Sequence, residues 1–154
     1  EQIATLVDEV PQIEYVKEER QPGPRHIGEV QRCVGDSVKT IFGGAGGKFL
    51  PAEIRQGADG CMPACEFGDI LTSIMDRWVS GDEDGARELH RRLLPLINLE
   101  NQALIRYVLR RRGVIKSMTE RAPSAELDEA DRQEVSTLLE AVADDMQGYP
   151  LGPE

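Results

Sequence analysis

The stretch EYVKEERQPG, residues 14–23, places Lys17 at the end of a short β-branched run, with Glu18 and Glu19 behind it and a Pro22-Gly23 break after that. A lysine amine is a nucleophile toward carbonyl carbon only when it is unprotonated. Free lysine titrates near ~10.4, so burial or a neighbouring cation is needed to activate it. Glu18 and Glu19 would oppose that activation if both faced the amine, so at least one is expected to turn away. Spacing alone leaves two readings open, a solvated or ion-paired lysine and a catalytic one at a strand end, where parallel-barrel enzymes hold their reacting groups.

A second candidate is the run Gly43-Gly44-Ala45-Gly46-Gly47-Lys48. A glycine-rich turn between strand and helix can present backbone N–H groups to an anion. A nucleotide-binding P-loop would need glycine at 42 and serine or threonine at 49, but both positions are phenylalanine. The dinucleotide pattern GxGxxG fails too, because Phe49 stands where its last glycine belongs. A flexible turn and a close backbone approach to a small acid both remain open. The three cysteines, Cys33, Cys61 and Cys65, do not form a site. On one strand Cys61 and Cys65 would lie about 13 Å apart, too far for a disulfide. Neither His26 nor His90 adds a zinc-ligand spacing, so buried free thiols in a reducing compartment are expected.

The elements that must hold these residues read as alternating strands and helices in the first half. Strands are expected at 13–17, 38–42 and 60–65, with helices at 26–34 and 49–56 between them. Such alternation predicts parallel βα units. The second half reads as helix throughout. Phe67, Ile70, Leu71, Ile74, Met75 and Trp78 form one stripe, closed by Gly81. Residues 82–101 continue with Ala86, Leu89, Leu93, Leu96 and Ile97, with a kink expected at Pro95. A helix over 103–112 ends in Arg110-Arg111-Arg112, where cations offset the negative end of the dipole. Ser124 is expected to cap a last helix reaching about Met146, and YPLGPE to form a tail.

The chain has 154 residues, 40% of them hydrophobic and 30% charged, with a formal net charge of −10. That charge disfavours nucleic acid and anionic membrane as partners. No apolar window reaches the roughly 18 residues of a membrane span, and no basic-then-apolar leader opens the chain, so a cytoplasmic location is expected. An open three-stranded parallel sheet cannot hide its faces and edges. Three strands followed only by helices therefore predict part of something larger, with an apolar face left for a partner.

The order Pro11…Tyr15-Val16-Lys17-Glu18, strand-Gly43, Gly57-Ala58-Asp59-Gly60-Cys61-Met62 and Arg92-Leu93-Leu94-Pro95-Leu96 resembles the dihydrodipicolinate synthase/N-acetylneuraminate lyase family. The match runs from about 1 to 145 and covers that family's C-terminal half. The resemblance implies an α/β fold, the C-terminal half of a (β/α)8 barrel followed by a helical bundle. Residues 1–81 would carry strands six to eight, 82–146 the helices and 147–154 a tail. It implies class I aldolase or dehydratase chemistry, with Lys17 forming a Schiff base with pyruvate or a related 2-oxo acid. Gly43 would lie near that acid and the main-chain carbonyl of Met62 would face its pyruvyl part. It further implies no metal or organic cofactor, and a homo-oligomer, commonly a tetramer.

After the lysine the family often shows a small residue and then Ser-Gly-Asp, where this chain has Glu19-Arg20-Gln21-Pro22-Gly23. Together with the glycine-rich turn, residues 97–101 and Gly113-Val114-Ile115-Lys116, this leans toward the 2-keto-3-deoxy-sugar-acid dehydratases. The family's carboxylate-binding Thr/Ser pair and its proton-shuttling tyrosine lie on earlier strands, and Tyr15 cannot take the tyrosine's place. The 154 residues alone are thus expected to be inactive. The alternative is a non-catalytic scaffold or assembly fragment.

Overall fold

A computed structural model describes residues 2–121 and 126–152, in two compact units that divide between Pro63 and Ala64. The first unit runs α1 (Gln2–Glu9), β1 (Tyr15–Lys17), α2 (Gly23–Val34), β2 (Thr40–Gly43), a 3-10 turn (Ala45–Gly47), α3 (Leu50–Arg55) and β3 (Gly60–Cys61). The three strands form one parallel sheet in the order β1-β2-β3. Lys17 pairs with Phe42 and Gly43 with Cys61.

Alternation along the strands decides which face is covered. Val16 and Ile41 point to one side, where they are buried with Val7 of α1, Ile27, Val30 and Val34 of α2, and Ala58. Tyr15, Lys17 and Phe42 point to the other. There the Tyr15 and Phe42 rings stack at 6.4 Å, and Tyr15 is 55% exposed. The sheet is thus helix-covered on one face and carries exposed aromatic surface on the other.

The strands are shorter than periodicity suggests, although ladder bonds extend past them, from Lys39 N–H to the Glu14 carbonyl and from Met62 N–H to the Gly43 carbonyl. Pro63 has no N–H to carry β3 further. Cys65 therefore stands outside the strand and is exposed, as is Cys33 on α2, while Cys61 is half-buried. The expectation of buried thiols is corrected for both.

The second unit contains α4 (Gly68–Val79), α5 (Glu83–Asn98), α6 (Gln102–Arg111), α7 (Glu129–Glu140) and a 3-10 turn (Ala143–Asp145). Of the expected core, Phe67, Ile70, Leu71, Ile74, Leu89, Leu93, Leu96, Val135, Leu139 and Val142 are buried, while Met75, Trp78 and Leu138 are half-buried. α5 starts at Asp82, whose carboxylate accepts the Gly85 N–H, and runs on through Pro95. α6 is capped by Asn101 and α7 by a reciprocal capping box of Asp128 and Asp131. Ser124 lies outside the described residues, and α7 stops at Glu140.

Arg112, at the end of α6, is buried. It donates to the Glu66 carbonyl at 2.5 Å, to the Tyr149 carbonyl at 2.8 Å, and through two nitrogens to Asp69. Arg111 donates to the Gly152 carbonyl. The arginine cluster thus ends a helix and also holds the backbone of the C-terminal residues. Among the described residues no helix is long and apolar enough to cross a membrane.

Candidate functional site

The ends of β1, β2 and β3 carry Lys17, Gly43 and, one residue beyond β3, Met62. The structure brings these three predicted residues to one rim, at the C-terminal ends of adjacent parallel strands. Register does this. Lys17 opposes Phe42, Gly43 opposes Cys61, and Met62 N–H donates to the Gly43 carbonyl at 3.0 Å. Met62 is 46% exposed.

The two carboxylates after Lys17 part ways. Glu18 has the parity of Val16 and is buried on the helix side. Burial pushes its carboxyl up, but the side-chain and main-chain hydrogen bonds of Arg20, with its charge, outweigh that and hold it below the usual range. Glu19 has the parity of Lys17, and its Oε1 lies 3.5 Å from the amine. The same oxygen accepts the Ala45 N–H at 2.8 Å. That bond, opposed by partial burial and helped by the Lys17 charge, lowers the Glu19 carboxyl. The turn that offers the N–H is left-handed at three successive residues, Ala45 at φ 49°, Gly46 at 66° and Gly47 at 85°. The glycine-rich run therefore does present backbone to an acid, and in this chain the acid is its own Glu19.

One residue of this region was not singled out from sequence. Glu53 on α3 is 1% exposed, and its Oε2 has no hydrogen-bond partner among the described residues. Burial, and secondarily the negative charge of Glu19, pushes its carboxyl up to about 7. The half-buried Cys61 thiol is pushed up to about 11 by burial and by Glu53, against a smaller opposing effect of Lys17. A hint was present in the sequence. Glu53 lies three residues after Leu50, on the helical face that Leu50 buries, and an acid on a buried face calls for a reason. Among the described residues no group of three or more His, Cys, Asp and Glu is placed to hold a metal ion.

The rim thus offers a primary amine at a strand end, a carboxylate beside it and a backbone turn able to bind acids. The family model described as the dihydrodipicolinate synthetase family matches residues 1–142. The chain belongs to this family. It is 31% identical over 140 residues to the L-2-keto-3-deoxyarabonate dehydratase of Azospirillum brasilense, covering 88% of this chain and 45% of that protein. Among solved structures it is similar to a dihydrodipicolinate synthase from Rhodopseudomonas palustris, with a TM-score of 0.81 and 32% identity over 90% of this chain and 49% of that one. A dihydrodipicolinate synthase from Aquifex aeolicus shares the fold, with a TM-score of 0.76 and 20% identity over 98% and 50% of the two chains. This member of the dihydrodipicolinate synthetase family spans about half the length of the relatives it matches. Its sheet and trailing helices correspond to the C-terminal half of their (β/α)8 barrel.

Proposed function

We propose that the chain carries the imine-forming half of a lyase site acting on a 2-oxo acid, either pyruvate or a 2-keto-3-deoxy sugar acid. The observation that supports this most is the position of Lys17, the last residue of β1, on the sheet face opposite the helices. In a closed barrel that face is the interior, and the C-terminal rim is where reacting groups stand. The unprotonated Lys17 amine attacks the ketone carbon, and the carbinolamine loses water to give a protonated imine. The imine withdraws electrons, so a proton can leave the α carbon and the β-hydroxyl can then depart as water. The same sink can instead accept the electron pair of a breaking C–C bond, giving an enamine and releasing a carbonyl product, and the reverse attack of the enamine on a carbonyl carbon forms that bond. Gly43 lies beside the acid and the Met62 carbonyl faces its pyruvyl part. The chemistry calls on no metal or organic cofactor.

The sugar-acid side of this reading draws on the Azospirillum dehydratase. A cytoplasmic location and a homo-oligomer, tetrameric on the family pattern, belong to the same proposal. On the family pattern, the groups that bind the substrate carboxylate and relay protons stand on barrel strands other than these three. The 154 residues alone should therefore turn over little or nothing, since misplacement by ~1 Å already costs on the order of a hundredfold.

The half-length match also favours a second reading, a non-catalytic assembly module that keeps the scaffold. Borohydride reduction in the presence of pyruvate, read by intact mass, separates the two. A lysine adduct supports the imine-forming site, and its absence supports the module.

A further inference from the structure

On the helix side of the sheet, behind Gly43, lies a carboxyl that the lysine chemistry leaves unused. Glu53 is 1% exposed with Oε2 unpaired among the described residues, a costly arrangement for a polar group. Two glycines make room for it. A side-chain carbon at Gly43 would overlap Oε2, and one at Gly23 would lie 2.8 Å from Oε1. Gly43 closes β2 and Gly23 opens α2. One carboxyl is therefore wedged between two elements that meet at the rim. The titratable groups near it are Glu19, from the segment after β1, and Cys61 of β3, which also feels Lys17 of β1. Helix α2 meets the carboxyl with Gly23.

We infer that Glu53 is a positioning residue: its buried carboxyl braces the main chain at Gly43 and Gly23, sets the turn at 43–47, and through that turn places Glu19 and Lys17. The path is short. Glu53 abuts Gly43, and Gly43 leads in two residues to Ala45. The Ala45 N–H reaches Glu19 Oε1 at 2.8 Å, and that oxygen is 3.5 Å from the Lys17 amine. Only the meaning given to Lys17 rests on the proposed function; the bracing does not.

Amide hydrogen exchange on the 154-residue chain tests the brace without any assumption about chemistry. In Glu53→Ala the Ala45 amide should exchange about tenfold faster, while the Ile41 amide, held by Asp59 Oδ2 at 2.8 Å, stays as in the parent. Glu53→Gln, nearly isosteric, should keep Ala45 slow. If Glu53→Ala loses the fold and both amides become fast, pH decides. After correction for intrinsic exchange, Ala45 in the parent should loosen between pH 6 and 8 as Glu53 ionises beside Glu19, and in Glu53→Gln it should not. A second arm reads the site itself. Glu53→Ala should lower the yield of the borohydride-trapped pyruvate adduct and Glu53→Gln should keep it, while Gly43→Ala, whose added carbon would overlap the carboxyl, should lose it. Unchanged Ala45 exchange in a folded Glu53→Ala, identical pH behaviour of parent and Glu53→Gln, or a Gly43→Ala chain that traps pyruvate like the parent would each overturn the inference. A parent chain that traps nothing overturns the lysine reading instead, and the exchange data then judge Glu53 alone.

Discussion

Oε1 of Glu19 lies 3.5 Å from the Lys17 amine and at the same time accepts the Ala45 N–H at 2.8 Å. One carboxylate oxygen thus ties the end of β1 to the turn after β2.

This tie is exposed, and exposed ion pairs stabilise little because water and salt screen them. Glu19→Ala should lower unfolding stability by no more than about 1 kcal/mol. Glu19→Gln, which keeps an acceptor for Ala45 and loses the charge, should lower it less. Urea titrations of the three chains at one pH check this. A loss several times larger would mean that the pair carries a structural load the geometry does not show.

Glu53 gives a pH signature of the opposite sign to an ordinary ion-paired acid. Its carboxyl is raised from the usual 4.5 to about 7 in the folded chain, so between those values the folded state holds a proton that the unfolded state has released. Stability contributed by the neutral form is full below pH 4.5 and declines as pH rises toward and past 7. Glu53→Gln removes that dependence. Relative to the parent it should gain on the order of 3 kcal/mol between pH 4.5 and pH 8. Parallel stability curves for the two chains across this range would contradict the assignment.

Arg112 governs the second unit. It joins Asp69, the Glu66 carbonyl and the Tyr149 carbonyl, and Asp69 in turn accepts the Gln147 N–H at 2.6 Å. Arg112→Met leaves a half-buried carboxylate, the buried Glu66 carbonyl and the Tyr149 carbonyl without this donor, at a cost of about 3–5 kcal/mol. Burial pushes the Asp69 carboxyl up, but Arg112 and the Gln147 and Ile70 N–H groups hold it below its ordinary 3.8. The stability from this acid is present above pH 3.8 and lost as pH falls through its folded value, so the difference between parent and Arg112→Met should shrink in acid. Chemical denaturation at pH 7 and pH 3, with proteolysis to detect release of the C-terminal residues, measures both effects.

Periodicity and strand-end logic carried the sequence reading a long way. The Phe67–Trp78 stripe, the Leu89–Leu93–Leu96 face and the strand positions of Lys17 and Gly43 follow from local patterns, and local patterns are what a sequence displays. Helix α1 was not foreseen. Its one buried residue is Val7, too little of an apolar stripe to stand out in the sequence. The role of Glu53 was hidden for a different reason. It depends on Gly43 of β2 and Gly23 of α2 converging on one carboxyl, a juxtaposition created by the parallel sheet. Cys33 and Cys65 are exposed although the lack of a disulfide or zinc spacing predicts buried thiols, because that elimination carries no information about which face of its element a thiol occupies.

The central claim is that Lys17 forms an imine, and reductive trapping tests it most directly. The chain is incubated with pyruvate or a 2-keto-3-deoxy sugar acid, reduced with borohydride, weighed intact and digested to locate the adduct. One adduct, mapped to Lys17, is expected. Lys17→Ala should give none, and Lys17→Arg none either, because guanidinium stays protonated and offers no free amine. An adduct on another lysine, or one of equal yield in Lys17→Ala, would contradict the account.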